Sequence, residues 1–226
     1  MLIDINTEKI LKNESLKNLF LSANLREINE ECKILKSDFY LDSFNYFPIS
    51  LNFETFHMLF KRQDDNLVNH FYTKEFYKNL IDKKNQFKTI KNSYVLGSNP
   101  ADNYFSNLIN FLPRIFFCNE KKINLIIHRN LSNKFRNLIR YICELRDIDV
   151  KFSFIDDGFY NFKNCSLPQF LDIKRSIHVL KFFIDKILLS INVTEFRSKI
   201  YIRRSDANYR KILNEADLIE KLRKQN

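Results

Sequence analysis

Residues 123–155 read INLIIHRNLSNKFRNLIRYICELRDIDVKFSFI. Ile123–Ile127 is a short apolar run bounded by Lys122 and His128, the pattern of a strand buried on both faces. Ser132 or Asn133 is placed to cap a helix. Phe135, Leu138, Ile139, Ile142 and Leu145 then recur at helical spacing as far as about Arg146. Val150–Ile155 alternates as a second strand, and Asp156-Asp157-Gly158 closes it in a turn. Strand, helix and strand in about 30 residues form a βαβ unit, which demands a right-handed crossover and a parallel pair.

The pattern extends outward on both sides. Ser93–Gly97 (SYVLG) is β-prone and ends in the turn cluster Gly97, Ser98, Pro100. In DNYFSNLINFLPRIFF, Phe105, Leu108, Ile109, Leu112 and Ile115 make one helical stripe, with Asp102 as expected N-cap. Pro113 lacks the N–H that the Ile109 carbonyl would accept, which predicts a kink or an end there. Residues 159–168 read as a short strand pair or a loop ending at Pro168. Residues 172–193 predict a long helix whose core stripe includes Ile177, Leu180, Phe183, Ile184, Ile187, Leu188 and Ile191. A strand at Lys199–Arg203 (KIYIR) and a polar loop, SDANYRKIL, lead to Asn214-Glu215-Ala216-Asp217. That tetrad is close to a capping box, with Asn214 and Glu215 as structural caps of a last helix through Leu218, Ile219 and Leu222. Residues 1–90 are less patterned. They offer one helix around Ile10–Phe20, strands or loops over 33–60 with Pro48, and a short amphipathic stretch at Tyr72–Leu80.

Composition narrows the class. The chain has 226 residues, 45% of them hydrophobic and 15% aromatic, too apolar for disorder. Two Gly and four Pro exclude collagen-like and linker classes and leave little for glycine-rich phosphate loops; no G-x-x-x-x-G-K-S/T segment occurs. Cys32, Cys118, Cys143 and Cys165 form no C-x-x-C pair and read as reduced, mostly buried thiols. The first residues carry acids and lysines where a secretory signal needs a basic and then an apolar region. Lys181, Asp185 and Lys186 interrupt Ile177–Val193, the most apolar stretch, so no membrane span is expected. The expected location is cytoplasmic, with peripheral contact at a membrane surface left open. The formal net charge is +10. The bases are scattered, however, and nucleic acid is not the expected partner, although a basic nucleic-acid binder stands as one alternative.

Few residues suggest chemistry. Arg203, Arg204 and Arg210 flank a strand end and a loop before a helix, where ligands of open α/β sheets bind and where guanidinium groups can grip a diphosphate. A solvated basic loop, or pairing with Glu215, explains them equally simply. Asn103, Tyr104 and Ser106 sit at a helix start after a Gly-containing turn, as cleft-lining groups or as ordinary capping and packing. His128 follows a strand and is either a base or a hydrogen-bonded strand-end residue. His57, His70 and His178 have no partner visible in sequence, Asp156-Asp157-Gly158 reads as a turn, and no metal set is evident.

Two segments, NYFSNLINFLPRI (103–115) and KIYIRRSDANYRKILNEADLIEKL (199–222), resemble glycosyltransferase family 61. Tyr201, Arg204, Arg210, Asn214 and Glu215 match its later motif in register, and DDGFYNFKNCSLPQF fits a turn that the family carries between the two. The resemblance covers about residues 92–226. It implies a Rossmann-like α/β parallel sheet layered with helices, as the N-terminal half of a GT-B architecture, followed by the start of a second α/β domain. The expected divisions are 1–90, 91–195 and 196–226. It implies transfer of a sugar from a nucleotide-sugar to a hydroxyl acceptor such as a glycan, with the nucleotide-sugar as co-substrate and no further cofactor. Arg204 and Arg210, with Arg203, would hold the donor diphosphate; Asn103, Tyr104 and Arg114 would line the acceptor side, Arg114 at the junction of halves or beside an acid. Where the family commonly has His, this chain has Ser106, and a serine is no base near neutral pH. His128 is then the substitute, or the protein is impaired. The segment expected after the last helix is missing, which suggests a truncated enzyme or an inactive remnant that self-associates through its unfinished domain.

Overall fold

The computed structural model describes residues 32–51, 73–190 and 215–224. The chain divides into two compact units, Met1–Ile191 and Asn192–Asn226. In the second, the described element is a helix, Glu215–Lys224.

The first unit is α/β, with a seven-stranded, mostly parallel sheet. The strands are β1 (Ile34–Asp42), β2 (Phe47–Ile49), β3 (Lys88–Lys91), β4 (Tyr94–Val95), β5 (Lys122–His128), β6 (Asp149–Ile155) and β7 (Phe159–Pro168). Their order is β2-β1-β7-β4-β5-β6, with β3 also on β7. β4, β5 and β6 run parallel, and α3 (Asn133–Leu145) crosses from β5 to β6, as the pattern of residues 123–155 demands. Among the described residues two shorter helices precede it, α1 (Lys74–Lys83) and α2 (Tyr104–Ser106), and α4 (Ile173–Ser190) follows β7. Residues 159–168 form one ten-residue strand in place of the expected pair or loop.

The sheet is folded over. β3 and β4 are one interrupted line on β7, in a single register: Lys88 opposite Tyr160 and Tyr94 opposite Ser166. Through β4 and β5, Ser166 lies level with Phe152 of β6. On a flat sheet Phe159 would then sit about 30 Å from Ile155, yet the few residues between them reach only about 14 Å. The hydroxyl of Ser43 donates to the Asp156 carbonyl at 2.6 Å, and Asp42 pairs with Phe159, so the start of β7 does lie beside the end of β6. The bend falls where the β1–β7 register breaks, between Ser37 and Phe39, and where Asn92 and Asn164 take φ of 49° each.

Folding the sheet buries both of its inner surfaces. Tyr94, Leu96, Ile123, Leu125 and Ile127 face α3, α4 and residues 109–117 in the larger core. Val95, Ile126 and Ile155 face the other way, onto Phe39, Leu41, Tyr160 and Phe162 of the folded arm. Period-two alternation sends Tyr40 outward, where it packs with Phe47, Ile49 and Leu80 of α1. α4 buries Val179, Leu180 and Phe183, and Phe183 stacks on Phe116 at 3.8 Å. Ile177 and Ile184, expected in its core stripe, are instead half exposed.

Candidate functional site

Ligands of open parallel sheets bind beyond the carboxyl ends of the strands. Here that edge is built from the loops after β4, β5 and β6. The first begins at Gly97, whose N–H donates to the Ile126 carbonyl at 2.8 Å. Gly97 has φ of 74°, and a Cβ there would lie 1.8 Å from the Tyr46 ring. Only glycine fits, because the fold demands both the left-handed backbone and the close approach. Tyr46 itself is buried, and its hydroxyl donates to the Val95 carbonyl at 2.6 Å.

The loop then coils into a polar knot. Asn103, not Asp102, is the N-cap of α2: its Oδ1 accepts the Ser106 N–H at 3.0 Å. Asp102, at φ 48°, turns its carboxylate inward, where one oxygen accepts from Asn107 Nδ2 (3.3 Å) and from the backbone N–H of Ser132 (3.1 Å). Asn107 is fully buried, and its Oδ1 accepts the Asn99 N–H at 2.7 Å. Beyond it the helix widens, the Leu112 N–H reaching back to the Asn107 carbonyl, and then tightens into a 3₁₀ turn over Leu112–Phe117. The missing N–H of Pro113 accounts for this change of pitch.

The second and third loops meet at His128. Its backbone N–H donates to Ser98 Oγ at 2.8 Å, its Nδ1 accepts the Asn130 N–H at 3.2 Å, and its Nε2 lies 3.0 Å from Asp157 Oδ1. An Nδ1 that accepts leaves the ring proton on Nε2, donated to the carboxylate. Both nitrogens are engaged and the side chain is buried. Beside it, Arg129 Nε pairs with Asp156 Oδ1 at 2.7 Å in a mostly exposed bridge, and that hydrogen bond holds the Asp156 carboxyl below its ordinary range.

These contacts place the expected residues. Asn103 and Tyr104 are exposed at the head of α2, with Tyr104 edge-on to Phe135. Ser106 is half-buried, and its Oγ accepts from Asn99 Nδ2 (3.3 Å) and Asn110 Nδ2 (3.2 Å). Arg114 does not line a cleft and, among the described residues, meets no acid: it is completely buried. Its guanidinium donates to the Leu96 and Pro168 carbonyls and lies over the Phe170 and Tyr46 rings at 4.1 and 5.1 Å. Arg203, Arg204, Arg210, Asn214, His57 and His70 lie outside the described residues, while Glu215 opens the last helix. The sequence reading missed Asn99 and Asn107, which organise the knot. For Asn107 the signal was an asparagine inside an apolar helical stripe, whereas Asn99 sits in the turn cluster before the helix.

Burial pushes the Cys32 thiol up to about 11 and that of Cys143 to about 12, so both are protonated near neutrality and neither is an activated nucleophile. Among the described residues no group of three His, Cys, Asp or Glu is placed to hold a metal. No helix among them is long and apolar enough to cross a membrane. No family model matches the chain, and no curated protein or solved structure matches it at a significant level.

Proposed function

We propose that this protein is of glycosyltransferase type, binding a nucleotide-sugar and a hydroxyl acceptor, with the acceptor side at the carboxyl edge of β4, β5 and β6. One observation supports the reading above the others. The segment Asn103–Ser106, which carries the first half of the resemblance, stands at a helix start directly beyond a parallel strand, its first two side chains open to solvent. Arg204 and Arg210 are the proposed grip on the donor diphosphate. The test is calorimetric titration of the full chain with UDP, GDP, ADP, CDP and dTDP. Saturable binding of one of them, weakened about tenfold by Arg204→Ala or Arg210→Ala, is expected. A folded chain that binds none overturns the reading.

The hydrogen bonding of His128 and Ser106 favours a second reading, binding without transfer. A general base needs a free lone pair within reach of the acceptor proton. The one on His128 Nδ1 is spent on the Asn130 N–H, and Ser106 Oγ already accepts from two amides. Release of free nucleotide from the bound sugar nucleotide in the presence of acceptor glycans separates the two readings.

A further inference from the structure

His128 stands where two loops of the carboxyl edge are tied together. The Asn130 backbone N–H can only donate, and it meets His128 Nδ1 at 3.2 Å. Nδ1 therefore carries a lone pair, and the ring holds its single proton on Nε2, against Asp157 Oδ1 at 3.0 Å. Asn130 passes the constraint on. Its Nδ2 donates to the Pro100 carbonyl at 3.1 Å, joining the loop after β5 to the loop that leads into Asn103–Ser106. The ring is anchored from several sides. Its side chain is buried, and the His128 backbone N–H is held by Ser98 Oγ at 2.8 Å. At the far end of the turn Leu131 is buried, its N–H on the His128 carbonyl at 3.1 Å. Arg129 and Asn130 between them are exposed.

We propose that protonation of His128 is a switch for this tie. A second ring proton goes to Nδ1 and points at the Asn130 N–H, so an acceptor becomes a donor facing a donor. The ring is anchored and Asn130 is exposed, so Asn130 yields, and its hold on Pro100 loosens with it. The surrounding charges leave that path open. Asp157 stays on Nε2 and gives the imidazolium a partner within the fold, so acid releases the loop without expelling the ring. Asp156, within electrostatic reach of the ring, is paired with Arg129 and also feels Lys88 of β3. From the loop after β4, Ser98 is neutral and the Asp102 carboxylate is committed to Asn107 and Ser132. That the released loop borders an acceptor side rests on the glycosyltransferase reading; the switch itself does not.

The test reads the loop directly. The full chain, labelled with nitrogen-15, is titrated from about pH 8 to pH 5, the range in which histidine ordinarily exchanges its proton. The His128 ring nitrogens should report the Nε2–H tautomer at the start. As the ring takes its second proton, the Asn130 and Ala101 amide resonances should move with the same midpoint. Hydrogen exchange at Asn130, corrected for the intrinsic effect of pH, should speed up about tenfold. His128→Gln should abolish both responses. Asn130→Ala should leave the ring titrating but cut Ala101 off from it. An imidazole that stays neutral down to about pH 5, an Nδ1–H tautomer at the start, or an Asn130 amide that ignores the ring overturns the proposal. So does an Ala101 amide that still follows the ring in Asn130→Ala. Responses that persist in His128→Gln overturn it too, since they assign the titration to Asp156 or Asp157. Should that variant fail to fold, the shared midpoint in the parent and the Asn130→Ala titration decide.

Discussion

The carboxylate of Asp38 holds the bend of the sheet by accepting the Asn164 backbone N–H at 2.7 Å on one oxygen and pairing with Lys163 Nζ at 3.1 Å on the other. Asn164 Nδ2 then donates to Asn92 Oδ1 at 2.8 Å, so side chains from β1, from β7 and from the break between β3 and β4 meet at the corner. The first of these bonds, then the lysine, depresses the Asp38 carboxyl below its ordinary range. A depressed carboxylate stabilises the fold above the unfolded carboxylate range and loses that contribution as pH falls through its folded value. Stability should therefore decline below about pH 4, and Asp38→Asn should flatten the decline. Because Asp38 is 40% exposed, its replacement should cost only about 1 kcal/mol near neutrality after solvent screening. Urea unfolding from pH 7 downward measures both.

Gly97→Ala should be among the most damaging single-atom changes in the chain. The new Cβ meets the Tyr46 ring at 1.8 Å, and the backbone at φ 74° disfavours any side chain. A loss of about 3 kcal/mol or more is expected. In a Tyr46→Ala background the clash disappears and only the backbone strain remains, so the same change should cost about 1 kcal/mol. A double-mutant cycle by chemical denaturation reads the difference. Equal costs in both backgrounds would show that the ring is not the obstacle.

How far the fold was legible follows the range of the interactions. The unit from Ile123 to Ile155 was readable because burial on both faces, helical spacing and turn chemistry are all local signals. β7 was not. Asn161, Lys163 and Asn164 interrupt its apolar alternation at the corner, so a continuous strand reads as fragments. Nothing near Asp38 in sequence announces that it pairs with residues at 163 and 164, since the corner exists only after three strands assemble. α4 shows the converse limit: helical spacing found its apolar side but could not tell Leu180, which is buried, from Ile177 and Ile184, which are not. At the carboxyl edge, the Asn103–Ser106 helix start was visible, whereas the inward turn of Asp102 depends on Ser132 from another loop.

Arg114 should behave as an internal tie, with no part in binding. Its guanidinium satisfies carbonyls at the ends of β4 and β7, of which the Leu96 carbonyl also accepts from the Tyr46 hydroxyl at 3.0 Å. Arg114→Ala takes the guanidinium from the Pro168 carbonyl, leaves the Leu96 carbonyl to the Tyr46 hydroxyl alone and opens the space between Tyr46 and Phe170, at a cost of about 3–5 kcal/mol. Arg114→Lys should recover less than half of this, because one ammonium cannot span both strand ends above two rings. Nucleotide affinity of whatever fraction folds should stay within about threefold of the parent. A selective loss of affinity with stability intact would return Arg114 to the binding surface.

Asn107 is the sharpest test of the polar knot, because its amide is wholly buried and used at both ends. Oδ1 takes the Asn99 N–H, and Nδ2 reaches Asp102. Asn107→Leu keeps the volume near its own but strands that N–H in the interior and leaves the Asp102 carboxylate with one partner fewer. A cost of about 2–4 kcal/mol follows from the unpaired donor and the less satisfied charge. Asn107→Asp retains the acceptor but sets a second carboxylate beside Asp102, so it should be tolerated only where one of the two is protonated. Its stability relative to the parent should therefore improve as pH is lowered toward 5, above the range in which the Asp38 contribution is lost. Thermal unfolding of the two variants at neutral and mildly acid pH distinguishes a hydrogen-bonded knot from a cavity that any side chain of that size would fill.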